Sequence, residues 1–345
     1  MNEKKENINT QPSSHTKTSA LYSPKGRLLF VAPDYYSFNE VVHTGLINYS
    51  NYEVLHLNST KKYKYKNFGE RVYNFFSKLF LGVNIKHKKT KDYIKNTIAN
   101  QTFDVLLINR PDTVHPSDLE YILSRCAYSI AIFWDSIEKI PSQEKYITKF
   151  DRCCSFDSSD CEKYNLKKIT NFYFAEDNSI GSQNMVCYLA TYDKRISDTL
   201  AIFDYFREKN IASKGKIYTH DRGLIKENIL PPLEIIDHII PFYESYKYYL
   251  DSKIILDIAH NNQVGLSFRP YEALGLKKKL ITTNKNIINY DFYHPKNIFI
   301  IEDINNINID DSFFYEDYVE IDKDIKKKYH IKNWIKNILS NDEKH

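Results

Sequence analysis

From residue 27 onward, short apolar runs alternate with longer amphipathic stretches, and this alternation constrains the fold more than any other feature of the chain. Runs at 27–33, 52–57, 103–109, 128–133, 152–156 and 171–174 read as strands, with helical spacing of apolar residues at 69–80 and 117–125. Strand, helix and strand in repetition give right-handed βαβ units and a parallel sheet. A small polar stretch at 177–184 interrupts the series and reads as a linker. The pattern then restarts, with strands at 185–190, 216–219, 253–258, 279–283 and 297–301 and helices at 197–209, 241–250, 269–276 and 322–339. The predicted fold class is therefore α/β, with two Rossmann-like doubly wound domains facing a cleft, because open sheets bind ligands beyond the carboxyl ends of their strands. The 345 residues suit two cores better than one. The expected division is a polar disordered tail over 1–25, domains over 26–178 and 185–320, and a closing helix over 321–345.

Composition removes several alternatives. A chain that is 42% hydrophobic, with 28 tyrosines and 20 phenylalanines, is globular. A net charge of only +4 argues against a nucleic-acid partner. There is no apolar leader and no run of roughly 18 apolar residues, which leads us to expect a cytoplasmic protein. The five cysteines are odd in number, and Cys153, Cys154 and Cys161 form no CxxC pair, so buried thiols are expected rather than disulfides or zinc. Phosphate-loop, GxGxxG and GxSxG signatures are lacking, which argues against a kinase, a dehydrogenase or a serine hydrolase. Lysines at 61–66 and 86–91 flank an aromatic amphipathic stretch at 72–83. That stretch is open between a helix lying on an anionic membrane and a core-facing helix with solvated lysines.

The most informative segment runs from Asp257 to Asn284: a strand, a polar loop with Gly265, a helix and another strand. Ser267 is a candidate cap, Pro270 suits the first helical turn, and a helix start beside Arg269 offers N–H groups and a positive dipole end to an anion. Glu272, one turn further in, is placed to accept hydrogen bonds from a ribose diol. An ordinary helix start with an Arg269–Glu272 pair at i to i+3 satisfies the same spacing.

The run GLSFRPYEALG, followed by a basic turn and LITTN, resembles the donor-binding region of GT-B glycosyltransferases, particularly bacterial enzymes of lipopolysaccharide and capsule assembly. The resemblance implies that Glu272 contacts the donor ribose and that Gly265, Ser267, Arg269 and Asn284 surround the nucleotide of a nucleotide sugar, with UDP expected. Val264 stands where many members carry a second glutamate, and Gly265 lies seven residues before Glu272 where the commonest members have five. Inverting and retaining chemistry both stay open. The run VCYLATYDKR followed by TLAIF is similar to the opening of GT-B donor domains, which implies that Arg195 neutralises the leaving diphosphate where other transferases use a metal. No metal or other cofactor is expected, since no Asp-x-Asp pair occurs on a strand-end loop.

The resemblance makes the first domain the acceptor side and sends the closing helix back to pack on it. Asp34, Glu40 and His43 follow the first strand, where an inverting enzyme needs a general base. Asp112 and Asp135 end strands on the same edge as candidate contacts for acceptor hydroxyls, and Asp135 is equally open as a helix cap. The expected activity is transfer of a sugar to a growing lipopolysaccharide or capsular glycan, free or lipid-linked, with a peripheral inner-membrane contact. A non-catalytic carbohydrate or nucleotide binder of the same fold is the alternative.

Overall fold

The structure is a computed structural model that describes residues 26–61, 85–177, 183–260 and 264–340. The expected helix at 69–80, the amphipathic stretch at 72–83 and most of the expected linker lie outside these residues. The first sheet contains β1 (Gly26–Ala32), β2 (Tyr52–Asn58), β3 (Phe103–Asn109), β4 (Cys126–Phe133), β5 (Arg152–Ser155) and β6 (Lys167–Lys168), in the order β2-β1-β3-β4-β5-β6. All of its pairings are parallel. The unbroken apolar runs of β1, β3 and β4 follow from burial on both faces. Leu28, Phe30 and Leu107 point into one core and Leu29, Val31 and Leu106 into the other. Among the described residues, α1 (Phe38–Tyr49) packs on one face of this sheet, and α2 (Ile85–Ile98) and α3 (Pro116–Leu123) pack on the other. The short α4 (Ser158–Tyr164) links β5 to β6.

The second sheet contains β7 (Gln183–Thr191), β8 (Ser213–Tyr218), β9 (Leu233–Ile236), β10 (Ser252–Asp257), β11 (Lys279–Thr282) and β12 (Ile298–Ile300). Its order, β12-β11-β10-β7-β8-β9, is again all parallel. The strand order reverses between β7 and β10, so a crevice opens beyond their carboxyl ends. Helix α5 (Ile196–Glu208) packs on one face, while α6 (Phe242–Tyr249) and α7 (Arg269–Leu276) pack on the other. Among the described residues no helix is long and apolar enough to cross a membrane.

The closing segment departs from the single helix expected over 322–339. After α8 (Asp311–Tyr315), it forms α9 (Lys323–Lys328) and α10 (Ile331–Leu339), broken where Tyr329 and His330 pair in parallel with Tyr173. The Tyr173 N–H donates to Tyr329 O at 2.9 Å and the Ile331 N–H donates to Tyr173 O at 2.9 Å, while the His330 side chain caps α10. The expected strand at 171–174 is reduced to this one bridge. Ile325 and Tyr329 pack with the second domain, whereas Ile331, Trp334, Ile335 and Ile338 enter the core of the first. Gly45 permits the close approach of α1 to α10, since a Cβ there would lie 2.7 Å from Ile331 Cδ1 and 2.9 Å from Ile335 Cδ1.

Candidate active site

Arg195 caps α5 immediately after β7 and is only 8% exposed. Its Nε and Nη2 donate to the Asp193 carboxylate at 2.9 and 2.6 Å, and its Nη1 donates to Ile258 O at 2.7 Å. Burial pushes the Asp193 carboxyl up, but the hydrogen bonds and charge of Arg195 outweigh it and hold the pKa below the ordinary value. His260, beyond β10, brings Nε2 to 4.0 Å from Asp193. Burial, assisted by the Arg195 charge, lowers the His260 pKa.

The second arginine is turned inward. Asp257, fully buried at the end of β10, accepts from Ser267 Oγ at 2.8 Å, Thr282 Oγ1 at 2.9 Å and Arg269 Nη1 at 3.3 Å. Arg269 also donates from Nε to Leu189 O at 3.0 Å and lies over the Tyr188 ring. Burial works against its charge, yet Tyr249 and Asp257 raise its pKa. The expected free helix start is therefore corrected, and the N-cap position lies one residue after Ser267. Phe268 is the N-cap residue, the Ser267 hydroxyl donates to Asp257 and accepts the Arg269 N–H at 3.3 Å, and the Tyr271 and Glu272 N–H groups both donate to Phe268 O. The Arg269–Glu272 pair is not formed either. Glu272, 5% exposed, accepts from Ser245 Oγ at 2.7 Å, and burial raises its pKa.

Two adjoining cavities meet at these groups, sharing Arg195, Ser267, Phe268 and Arg269. The smaller, about 290 Å³, lies over the second sheet between Tyr218, Ile236 and Phe242, with Tyr36 entering from the first domain and Glu272 in its wall. The larger, about 610 Å³, lies between the domains. Trp134, Asp135, Lys139 and Asn171 line it from one side, and Lys194, Arg195 and His260 from the other. A third cavity of about 560 Å³, between α1 and α6, presents Glu40 and Glu176 and no lysine or arginine, which suits a diphosphate poorly.

The remaining candidates from the sequence fall into three groups. Asp135 lines the larger cavity, where Lys139 Nζ donates to it at 2.5 Å; the following turn is capped by Ser136 and not by Asp135. Asp112 is held by Arg110 at 2.8 and 2.9 Å, outside the cavity lining. Gly265 and Asn284 support the loop: Asn284 Nδ2 donates to Gly265 O at 3.3 Å and its Oδ1 caps the next turn, and neither residue lines the two cavities. Of the base candidates, Asp34 is exposed on its loop, Glu40 faces the third cavity, and His43 packs on the His56 ring at 5.0 Å; none lines the larger cavity.

Sequence reasoning missed Asp193, His260, Trp134 and Asn171. The last two carry a specific chemical signal, because Trp134 Nε1 and Asn171 Oδ1 are buried without a hydrogen-bond partner while both residues line the larger cavity. A buried donor and a buried acceptor without partners are costly unless a water or a side-chain rearrangement meets them. An aromatic cluster backs this wall: Phe38 lies 4.5 Å from Trp134, 5.2 Å from Phe242 and 5.0 Å from Phe268, ring centre to ring centre. The Phe242 N–H also donates to Tyr36 O at 2.7 Å, joining the domains beside the smaller cavity.

No protein-family model matches the sequence, and no curated protein matches it. Solved structures do. An α-glucosyltransferase in complex with UDP and a 13-mer DNA containing a central A:G mismatch superposes with a TM-score of 0.50 at 11% identity, over 79% of this chain and 81% of that one. The glycosyltransferase of kitacinnamycin gives 0.46 at 8% identity, over 91% and 97%. MnaA of S. aureus with UDP gives 0.44 at 10% identity, over 91% and 93%. Two parallel six-stranded sheets meeting across one cleft, together with the first of these superpositions, show that the chain has the GT-B fold.

Proposed function

We propose that this protein is a glycosyltransferase that takes a sugar from a nucleotide-sugar donor, with the nucleotide in the smaller cavity and the sugar and acceptor in the larger one. The observation that carries the reading is the placement of Arg195 at the start of α5, on the crevice between β7 and β10, where both cavities meet. Three of its five guanidinium N–H groups are used within the protein, which leaves two for diphosphate oxygens. The positive end of α5 and the exposed Lys194 ammonium add to that attraction. In the transfer step an acceptor hydroxyl oxygen forms a bond to the anomeric carbon as the bond from that carbon to the diphosphate breaks. The electron pair leaves on the diphosphate beside Arg195. The hydroxyl proton passes to Asp135 in an inverting reaction, or to the leaving phosphate in a retaining one.

The donor is read as a UDP sugar, a choice supported by the UDP held in the glucosyltransferase of the same fold. A lipopolysaccharide or capsular acceptor, at the inner face of the cytoplasmic membrane, rests on the sequence resemblance.

Incubation with a panel of nucleotide sugars, with and without glycan acceptors, tests the activity. Acceptor-stimulated release of nucleoside diphosphate is expected. Saturable binding without release would make the protein a non-catalytic binder, and release dependent on added DNA would replace the glycan acceptor. Release is also expected to persist in EDTA, because arginine N–H groups and a helix start serve the diphosphate; loss of activity restored by magnesium or manganese would overturn that assignment.

A further inference from the structure

Outside the cleft, one cluster of side chains among the described residues has metal-binding chemistry. His87 lies at the start of α2, and His115 and Asp118 lie at the start of α3. One nitrogen of each imidazole and one oxygen of the carboxylate lie within 4.8 Å of one another. We propose that these three side chains bind a zinc-type divalent ion that fastens α2 to α3. The proposal is independent of the reading of the cleft, whose cavities none of the three lines.

The geometry accommodates an ion in place of the His87–Asp118 contact. Asp118 is 2% exposed and has His87 Nε2 at 3.2 Å from its Oδ2. Ligand atoms about 2.0–2.1 Å from a tetrahedral ion stand about 3.3 Å apart, so this pair is already at bonding separation. The His115 ring lies 3.8 Å from the His87 ring, centre to centre, at 37°. One carboxylate oxygen thus lies beside two imidazoles tilted against each other. A divalent cation uses both nitrogen lone pairs and the carboxylate together, which protonating both rings does not. His115 is exposed; its Nδ1 accepts the Ser117 N–H at 3.4 Å as the cap of α3 and lies 3.0 Å from Ser117 Oγ, and metal binding would exchange the cap for Nδ1–H donation to that hydroxyl. Two nitrogens and one oxygen suit zinc, with cobalt(II) as its spectroscopic substitute and water in the fourth position. The exposed lysines Lys86, Lys88 and Lys91 oppose cation binding and lower the expected affinity.

The test is calorimetric titration of the EDTA-stripped full chain with zinc chloride, followed by cobalt(II) absorption. One equivalent of zinc is expected, with a rise in melting temperature. His115→Ala and His87→Ala, each checked for native circular dichroism, are expected to weaken binding at least about tenfold. The cobalt spectrum should show d–d bands without a thiolate charge-transfer band. No saturable zinc binding, unchanged binding in both variants, or a thiolate band pointing to the cysteines would each overturn the proposal.

Discussion

Arg195 and Arg269 each reach the cleft already paired, one to Asp193 and the other to Asp257. The pairs leave the site rich in oriented N–H groups and poor in net charge. Such a site selects a ligand by geometry more than by long-range attraction. Glu272 is different, since among the described residues its carboxylate is hydrogen-bonded by the Ser245 hydroxyl, which also sits 2.8 Å from Phe242 O and has a single proton to give. If Glu272 meets a ribose diol, Glu272→Ala should cost about 1.5–3 kcal/mol of nucleoside diphosphate binding, a roughly ten- to hundredfold rise in Kd by calorimetry. Glu272→Gln should recover part of it, and a folded alanine variant with parental affinity would remove the donor assignment. His56 yields a prediction on stability. Burial, then the neighbouring His43, depress its pKa from 6.5 to about 4 against a smaller opposing effect of Asp34, and Asn39 Nδ2 lies 3.3 Å from its Nε2. The unfolded chain therefore binds a proton that the folded protein does not, so stability should fall as the pH drops from 6.5 towards 4. Discounted for the ring's partial exposure, the loss is on the order of 2 kcal/mol. Urea melts across that window should show the slope, and His56→Gln should flatten it.

At the scale of the element, Trp334 is the anchor of α10. Its ring stacks on Trp134 at 5.6 Å and its Nε1 donates to Thr170 O at 2.9 Å, so Trp334→Ala both opens a cavity and strands a carbonyl. A loss of about 3–5 kcal/mol is expected in chemical denaturation, and a variant as stable as its parent would contradict the packing. The apolar spacing of this segment was legible in the sequence; the break at Tyr329 and His330 was not. Ile325 and Ile331 belong to one expected helix and yet enter different cores, with the bridge to Tyr173 between them. Elsewhere legibility followed apolar continuity. Helix α7 has the predicted limits because Pro270 and the run before Lys277 mark both ends, with Lys277 in a left-handed cap at φ 52°. Strand β6, two lysines at a sheet edge, carries no apolar signal, and β9 was missed after two prolines. In the cleft, the helix start and Glu272 could be read from local spacing. The partners that decide their chemistry could not, since Asp257 and Leu189 reach Arg269 from other strands, 12 and 80 residues away.

Over the whole molecule, the cleft depends on how closely the two sheets approach. A Cβ at Gly265 would lie 2.8 Å from the carbonyl oxygen of Phe156 in the first domain and would also meet its ring. Gly265→Ala should therefore wedge the domains apart. We expect a lower melting temperature and weaker binding of any ligand that spans the cleft, with less effect on one held by the second domain alone. Nucleoside diphosphate and intact nucleotide sugar, compared by calorimetry, distinguish the two cases. The crossing of the closing segment also bears on the order in which the protein is made. The core of the first domain receives its Trp334 side chain 164 residues after Thr170, to which that side chain bonds. At translation speeds of about 5–20 residues per second, that delay is on the order of 10–30 s. During it, the nascent first domain has emerged with one flank of its sheet uncovered, although the second domain is already taking shape behind it. Late acquisition of protease resistance during synthesis is the outcome expected of that topology.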